Sequence, residues 1–441
     1  MNCLARWEAP EPPFGMRLSH VVLPLAVLAA CAGSGVRTAP SATPSSATSA
    51  ADDAALMVRA RALHERIITI DTHDDIPLNF ATPEHDPLNA NRQVTLQNMR
   101  SGGLNVAFFA VFVGQSPRTP ESYDKAKADA MTKFAAIHRL AESQHPGLIG
   151  LATTPEDVVR IHDSGKLVAA IGIENGFVIG KDLSLVKTYY DLGARYMTLA
   201  HTSNNDICDS STDQRGPEHN GVSPFGKQVV AEMNRVGMMV DISHVSKDCM
   251  MQATAMSRSP VVASHSGARA MADHPRDLDD EQLLAIKRNG GVAQMVAFAS
   301  YVKAVPPAKT AAIDTLRRSM GITGGGRNAL ANLTDAQRTE YQRRMGEIDA
   351  KWPPANLQDF GNHIDHAVKV AGIDHVGISS DFDGGGGIVG WRDAGETMNV
   401  TVELLRRGYT DEQIKLIWGG NLLRVWAQNA RIARQLQAPT P

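Results

Sequence analysis

Short apolar runs rich in β-branched residues recur along the chain from residue 67 onward: IITIDTH (67–73), NVAFFAVFV (105–113), LVAAIGIE (167–174), ARYMTLAH (194–201), MMVDISH (238–244), PVVASH (260–265), GVAQMVAFA (291–299) and HVGISSD (375–381). Runs this continuous, without apolar and polar residues in alternation, predict parallel strands covered on both faces. Helix signals fill most of the intervals. Thr154-Pro155 with Asp157 reads as N-cap, first-turn proline and acidic first turn, and Gly165 stands where the chain should leave the helix. Ser223-Pro224 opens a stretch with Val229, Val230 and Met233 on one face and Gly237 at its end, and Thr410 with Gln413 makes a capping-box pattern before Ile414 and Ile417.

Eight strands alternating with helices predict an α/β fold, a single (β/α)8 TIM-type barrel. A doubly wound open sheet fits the same alternation, but the glycine-rich phosphate loop that often follows its first strand is missing. The stretch 302–374 is long for a barrel loop and carries a charged helical segment around Asp335 to Lys351 and the turn GITGGG at 321–326, so it reads as a helical insertion between the last two strands. The barrel with its insertion is expected over 52–435.

Ahead of the barrel, VVLPLAVLAA (21–30) is uncharged and too short to cross a bilayer, but suits a signal-peptide core. It ends in Leu28-Ala29-Ala30-Cys31, a bacterial lipobox pattern in which Cys31 becomes the lipidated first residue. Arg17 supplies the basic flank, and Met16 is an alternative start to Met1. Residues 1–30 are therefore expected as signal peptide and 31–51 as a flexible tether, since 17 of the 20 residues from Cys31 to Ala50 are Ala, Ser, Thr, Pro or Gly. The expected location is the bacterial cell envelope, exported and held to the membrane by the lipid.

A formal net charge of -3 offers no broad positive field, which excludes nucleic acid as a partner. Four cysteines with no Cys-x-x-Cys pair offer neither a disulfide scaffold nor a thiolate zinc site, so any metal must be held by nitrogen and oxygen.

Polar residues gather where the apolar runs end: His73, Glu174, His201, His244, His265 and Asp381. In barrels of this type that rim carries the chemistry. The strand period of two puts His73 and Asp75 on one side and Asp74 on the other. Glu174 follows a buried run and needs a cation; its two oxygens can bridge two metals. His244 and His265 end adjacent strands at the same rim. Three histidines and two carboxylates suffice for two Zn²⁺ sharing Glu174 and a water.

DTHDDIP (71–77), GIEN (172–175), RYMTLAH (195–201), SPFGKQVVAEMNRVGMMVDISHVS (223–246), PVVASHS (260–266), HVGISSDFDG (375–384) and GGNLLRVW (419–426) together resemble the membrane dipeptidase (renal dipeptidase) family of binuclear zinc peptidases, in order and over about residues 65–430. The resemblance implies a zinc-dependent dipeptidase that tolerates a C-terminal D-residue and works through a metal-bridging hydroxide. It assigns His73 and Asp75 to one zinc, His244 and His265 to the other and Glu174 to the bridge. His201 would contact the scissile carbonyl, Arg276 would bind the substrate carboxylate, and Asp381, in preference to Asp383, would handle the water's proton. A homodimer is also implied. The sequence departs from the family pattern at Asn175, where Gly is common, and in the stretch opened by Ser203, where Cys is common and a Pro-Trp pair follows soon after, whereas here NNDICDS (204–210) follows; these bear on the pocket shape and on any family disulfide. Two other readings stay open. One is another barrel metallohydrolase, of cyclic-amide or deaminase type, which usually begins with His-x-His. The other is a lipid-anchored peptide-binding protein using Arg276.

Overall fold

A computed structural model describes residues 46–322 and 333–438. Its strands are β1 (Ile70–Asp75), β2 (Val106–Phe112), β3 (Ile149–Leu151), β4 (Leu167–Glu174), β5 (Ala194–Thr198), β6 (Met239–Asp241), β7 (Val262–Ser266), β8 (Val292–Val296) and β9 (Val376–Ser379). All pairings are parallel, in the order β1-β2-β4-β5-β6-β7-β8-β9, and β9 returns to β1 through a bridge in which Asp75 N–H donates to the Phe382 carbonyl at 2.9 Å. These eight strands are the expected ones, and they form a nearly closed α/β barrel. β3 was not foreseen: three residues, IGL, pair with the start of β4 (Ile149 with Leu167) on the edge that β5 joins from Ile171 onward.

Alternate residues of the strands point inward and fill the base of the barrel. Ile70, Val106, Phe108, Val168, Ala170, Tyr196, Met239, Val262 and Val292 form one buried cluster with Trp426 of the C-terminal helix Asn421–Gln437. Phe108 stacks on Tyr196 and meets Trp426 edge-on, each at 5.6 Å between ring centroids. The base is thus a packed core, and only the carboxyl ends of the strands are free for polar side chains.

The expected caps are present. Thr154 accepts from Asp157 N–H, Ser223 accepts from Gly226 N–H, Gly237 ends its helix in the left-handed region at φ 93°, and Thr410 and Gln413 form a reciprocal capping box. The stretch 302–374 divides into pieces that pack differently. Helix Asp335–Lys351 buries no residue, whereas Leu357–Ala371 buries Phe360, Ile364, Ala367 and Ala371 on one stripe and sheathes the barrel beside β8 and β9. The apolar run at 21–30 and Cys31 lie outside the described residues; the helix Ser46–His64 overlaps the last part of the stretch read as tether. Among the described residues no helix is long and apolar enough to cross a membrane.

One covalent feature corrects the reading of the cysteines. Cys208, in the loop after β5, is disulfide-bonded to Cys249 in helix Lys247–Met256, 41 residues on. No spacing rule pairs two such cysteines; only the fold brings them together. Closing a loop of that length is worth about 4 kcal/mol on the chain-entropy view. Replacing both cysteines by alanine is expected to lower the unfolding free energy by about 2–5 kcal/mol, read from urea denaturation. A double variant that unfolds at the same urea midpoint as the parent would show that the bridge does not hold this loop.

Candidate metal centre and active site

The centre is built around Glu174. On β4 the inward positions run Val168, Ala170, Gly172, Glu174, so the carboxylate stands on the interior face one step above the apolar base, 4 % exposed. Its Oε2 lies 3.3 Å from His73 Nε2. Its Oε1 lies 3.0 Å from His244 Nε2 and 3.4 Å from both His265 Nε2 and His201 Nε2. His73 Nε2 is also 3.8 Å from Asp75 Oδ2, and His73, Asp75 and Asp381 bring ligand atoms within 4.8 Å of one another. The sequence thus scatters these side chains over some 300 residues, and the barrel rim gathers them at one carboxylate.

The rings are aimed by partners that the sequence analysis did not single out. Tyr196 O–H donates to the Thr72 carbonyl at 2.9 Å, so its oxygen accepts from His73 Nδ1–H at 3.0 Å. The Tyr196 ring fills the space above Gly172, where a Cβ would come within 1.9 Å of it. Similarly, Ser264 O–H donates to buried Asp241 Oδ2 at 2.6 Å and accepts from His265 Nδ1–H at 2.8 Å. In both histidines the outer nitrogen keeps the hydrogen and Nε2 faces Glu174. A glycine inside a strand, as at Gly172, is the one signal in the sequence that marks such a close approach.

Several strands end earlier than their apolar runs. β5 stops at Thr198 and β6 at Asp241, so His201 and His244 come from the turns beyond them. There the backbone enters the left-handed region at residues other than glycine: Asn175 at φ 79°, His244 at 70°, Asp381 at 58° and Asp383 at 63°. Such positions cost about 1 kcal/mol or more each and concentrate where function fixes geometry. Asn175 explains one departure from the family pattern, since asparagine tolerates this region better than other side chains and glycine tolerates it best. Gly384 lets its turn fold over the centre: a Cβ there would lie 2.2 Å from Asp75 Oδ2 and 2.3 Å from Asp381 Oδ1.

Electrostatics show a set of donors short of positive charge. Burial and the Glu174 charge push Asp75 up to about 6, and burial, with Asp75 and Glu174, holds Asp381 well above the usual carboxylate range. Burial works to lower His73, yet Glu174, Asp75 and Asp381 outweigh it and push the imidazole up to about 10. Burial would raise Glu174, but the histidines hold it well below its usual range. Among the described residues His73 Nε2 has no hydrogen-bond partner, and His244 Nε2 and His265 Nε2 stand only 2.7 Å apart. Convergent nitrogen and carboxylate atoms with too few protons between them fit divalent cations.

The centre opens into a cleft of about 470 Å³ lined by Asp75, Glu174, His201, His244 and Asp381, with Phe112, Lys133, Phe298 and Tyr301 around them. Arg276 stands behind this lining: its Nη2 donates to the His265 carbonyl at 2.9 Å and its guanidinium carbon lies 5.4 Å from the Tyr301 ring centre. Asp383 also reaches the cleft, but its oxygens already accept from Gln93 N–H and Val94 N–H, at 3.2 Å each, and pair with Arg92 at 3.1 Å. Among the described residues the Asp381 carboxylate has no such ties.

Known proteins share this arrangement of strands. The membrane dipeptidase family (peptidase family M19) matches residues 57–440. Dipeptidase aclJ of Aspergillus oryzae is 30% identical over 363 residues, covering 81% of this chain and 74% of that one. Dipeptidase verJ of Clonostachys rogersoniana is 31% identical over 374 residues, covering 81% and 82%. Among solved structures, the probable dipeptidase PvdM from Pseudomonas aeruginosa is 34% identical with a TM-score of 0.75, covering 86% of this chain and 99% of that one. A metallo peptidase from Rhodobacter sphaeroides, solved with a phosphinate mimic of the dipeptide L-Ala-D-Ala, shares the fold at 21% identity and a TM-score of 0.63, covering 82% and 99%. With its barrel, its convergent histidines and carboxylates and a match over nearly its whole folded length, the chain belongs to the membrane dipeptidase family and is a metallo-dipeptidase, a hydrolase acting on peptide bonds.

Proposed function

We propose that the centre takes two Zn²⁺ and hydrolyses dipeptides, including those with a C-terminal D-residue. The observation that carries this is the division of donors across Glu174: Oε2 faces His73, with Asp75 beside it, while Oε1 faces His244 and His265. One carboxylate with a separate donor set on each oxygen is the form a shared bridge requires. His73 and Asp75 would hold one ion, His244 and His265 the other. When bound, the ions would supply Lewis acidity for the scissile carbonyl and for the attacking water.

The chain's own residues do the rest. His201, in the cleft against Phe112 at 4.8 Å between ring centres, donates from Nε2 to the carbonyl oxygen as charge develops there. Asp381 takes a proton from the attacking water and returns it to the leaving amine. Arg276 pairs with the free C-terminal carboxylate, with Tyr301 shaping the space in front of it. A guanidinium fixed to the His265 backbone and paired with the substrate carboxylate would restrict the substrate to one residue beyond the scissile bond, that is, to dipeptides. The ligand of the Rhodobacter sphaeroides protein, a phosphinate mimic of the dipeptide L-Ala-D-Ala, supports tolerance of that configuration.

We also propose export and lipid anchoring through Cys31, a reading supported by the lipobox pattern and by a disulfide that would persist in an oxidising compartment. A homodimer, implied by the family resemblance, belongs to the same reading and is measurable by sedimentation.

Purified protein is expected to release free amino acids from L-Ala-L-Ala and L-Ala-D-Ala, to lose that activity to a chelator and to regain it with Zn²⁺. Retention of full activity in metal-free protein would defeat the proposal. Tyr196→Phe frees the His73 ring from its hydrogen-bond acceptor, and zinc affinity is expected to fall about 10–100-fold, as read by competition with a chromophoric chelator; unchanged affinity would remove Tyr196 from this role. In a bacterial host, radiolabelled fatty acid is expected on the full-length chain and absent from Cys31→Ser. Equal label on both would refute the anchor.

A further inference from the structure

Helix Pro120–Arg139 lays a stripe of Ala126, Ala130, Lys133, Phe134 and Ile137 against the barrel, and one member of that stripe is a lysine. Lys133 is only 6 % exposed, yet it lines the cleft. Among the described residues its ammonium makes no hydrogen bond or salt bridge; its close companion is the face of Phe112, 5.6 Å from Nζ to the ring centre. The neighbouring cation, Arg92, is already paired with Asp383 and the Asp75 carbonyl. A buried charge without an ionic partner is costly, and apolar stripes rarely retain one. The carboxylates within electrostatic reach of Lys133 are Asp75, Glu174 and Asp129, and metal ions at the centre would engage the first two.

The position of this cation decides what it can meet. Phe112 ends β2, and Arg276 is tied to His265 of β7. In the ring order β1-β2-β4-β5-β6-β7-β8-β9, β2 and β7 are four places apart among eight, so Phe112, beside Lys133, and His265, which holds Arg276, belong to opposite sides of the barrel. A dipeptide whose carboxylate is on Arg276 and whose scissile carbonyl is at the centre extends its N-terminal residue toward β2. An ammonium there repels the substrate's own α-ammonium, which leaves the N-terminal side chain as the part able to offer a negative charge.

We infer that Lys133 is a specificity residue that receives an acidic side chain on the N-terminal residue, so that the preferred substrates are dipeptides beginning with glutamate or aspartate. This rests on the dipeptidase reading above and narrows its substrate class. Lys133 acts on the choice of substrate, whereas Arg276 acts on all dipeptides alike.

The test compares kcat/KM for Glu-Ala and Gln-Ala, which match in shape and differ in charge, using the zinc-loaded full chain. The parent enzyme is expected to favour Glu-Ala by about 10-fold or more. Lys133→Gln should bring the ratio to within about 2-fold of one, and Lys133→Arg should keep most of the preference. Arg276→Ala should raise KM for both dipeptides and leave the ratio in place. A parent ratio near one overturns the inference without any variant, so the test survives a Lys133→Gln chain that does not fold. A ratio unchanged in folded, metal-loaded Lys133→Gln overturns it too, as does an equal loss on both substrates, which would place the α-carboxylate on Lys133. If none of Glu-Ala, Gln-Ala and Ala-Ala is cleaved, the dipeptidase reading itself falls; if they are cleaved with no charge preference, only this inference does.

Discussion

A carboxylate inside a barrel is the constraint around which this structure is organised. Glu174 ends a strand whose inward face is otherwise apolar, and an isolated charge there would cost more than a typical domain can spare. It is retained because four imidazole nitrogens surround it within 3.4 Å. Those rings in turn must be buried, oriented and relieved of protons on the inner side. Tyr196 and the Asp241–Ser264 pair meet that need from β5, β6 and β7, so the chemistry at the rim reaches down into the hydrogen bonding of the barrel itself.

The two ends of the barrel therefore follow different rules. At the base, Phe108, Tyr196 and Trp426 pack as an ordinary core, and nothing there requires unusual backbone. At the rim, Asn175, His244, Asp381 and Asp383 sit in the left-handed region, and Gly384 is pressed against two carboxylates. Strain at one end is borne by packing at the other, aided by the disulfide that fastens the loop after β5. Tyr196 belongs to both ends, with its ring in the core and its hydroxyl in the centre.

How far the sequence could be read follows from which of these features are periodic. Eight strands were legible because burial on both faces leaves unbroken apolar runs, and the rim residues were legible because polarity begins where those runs stop. β3 was not, since IGL carries too few residues for a pattern. Strand ends were overextended at His201 and His244 because apolar residues continue past the last ladder hydrogen bond into the turn, where hydropathy is blind to backbone hand. Helix Leu357–Ala371 was folded into an insertion although its apolar stripe belongs to the barrel sheath. Tyr196, Asp241 and Lys133 matter through partners more than 20 residues away, and no local pattern announces such a partner. The Cys208–Cys249 bridge was missed for the same reason.

The two departures from the family pattern turn out to be one local event. Asn175 Oδ1 accepts from Phe177 N–H at 3.1 Å and from Asn205 Nδ2 at 3.3 Å, and Asn175 Nδ2 donates to the Val113 carbonyl at 3.1 Å. Asn205 then takes Ile207 N–H and Cys208 N–H on its own Oδ1, at 2.9 and 3.1 Å, and Cys208 leads through its disulfide to the helix after β6. A glycine at 175 would adopt the left-handed turn with less strain but would present no amide to hold the 204–210 segment. The asparagine accepts that strain and gains a link from β4, through the loop after β5, to the helix that follows His244. This network runs beside Glu174 and uses none of the side chains that surround it, so the turn after β4 can depart from the family pattern without altering those histidines and carboxylates.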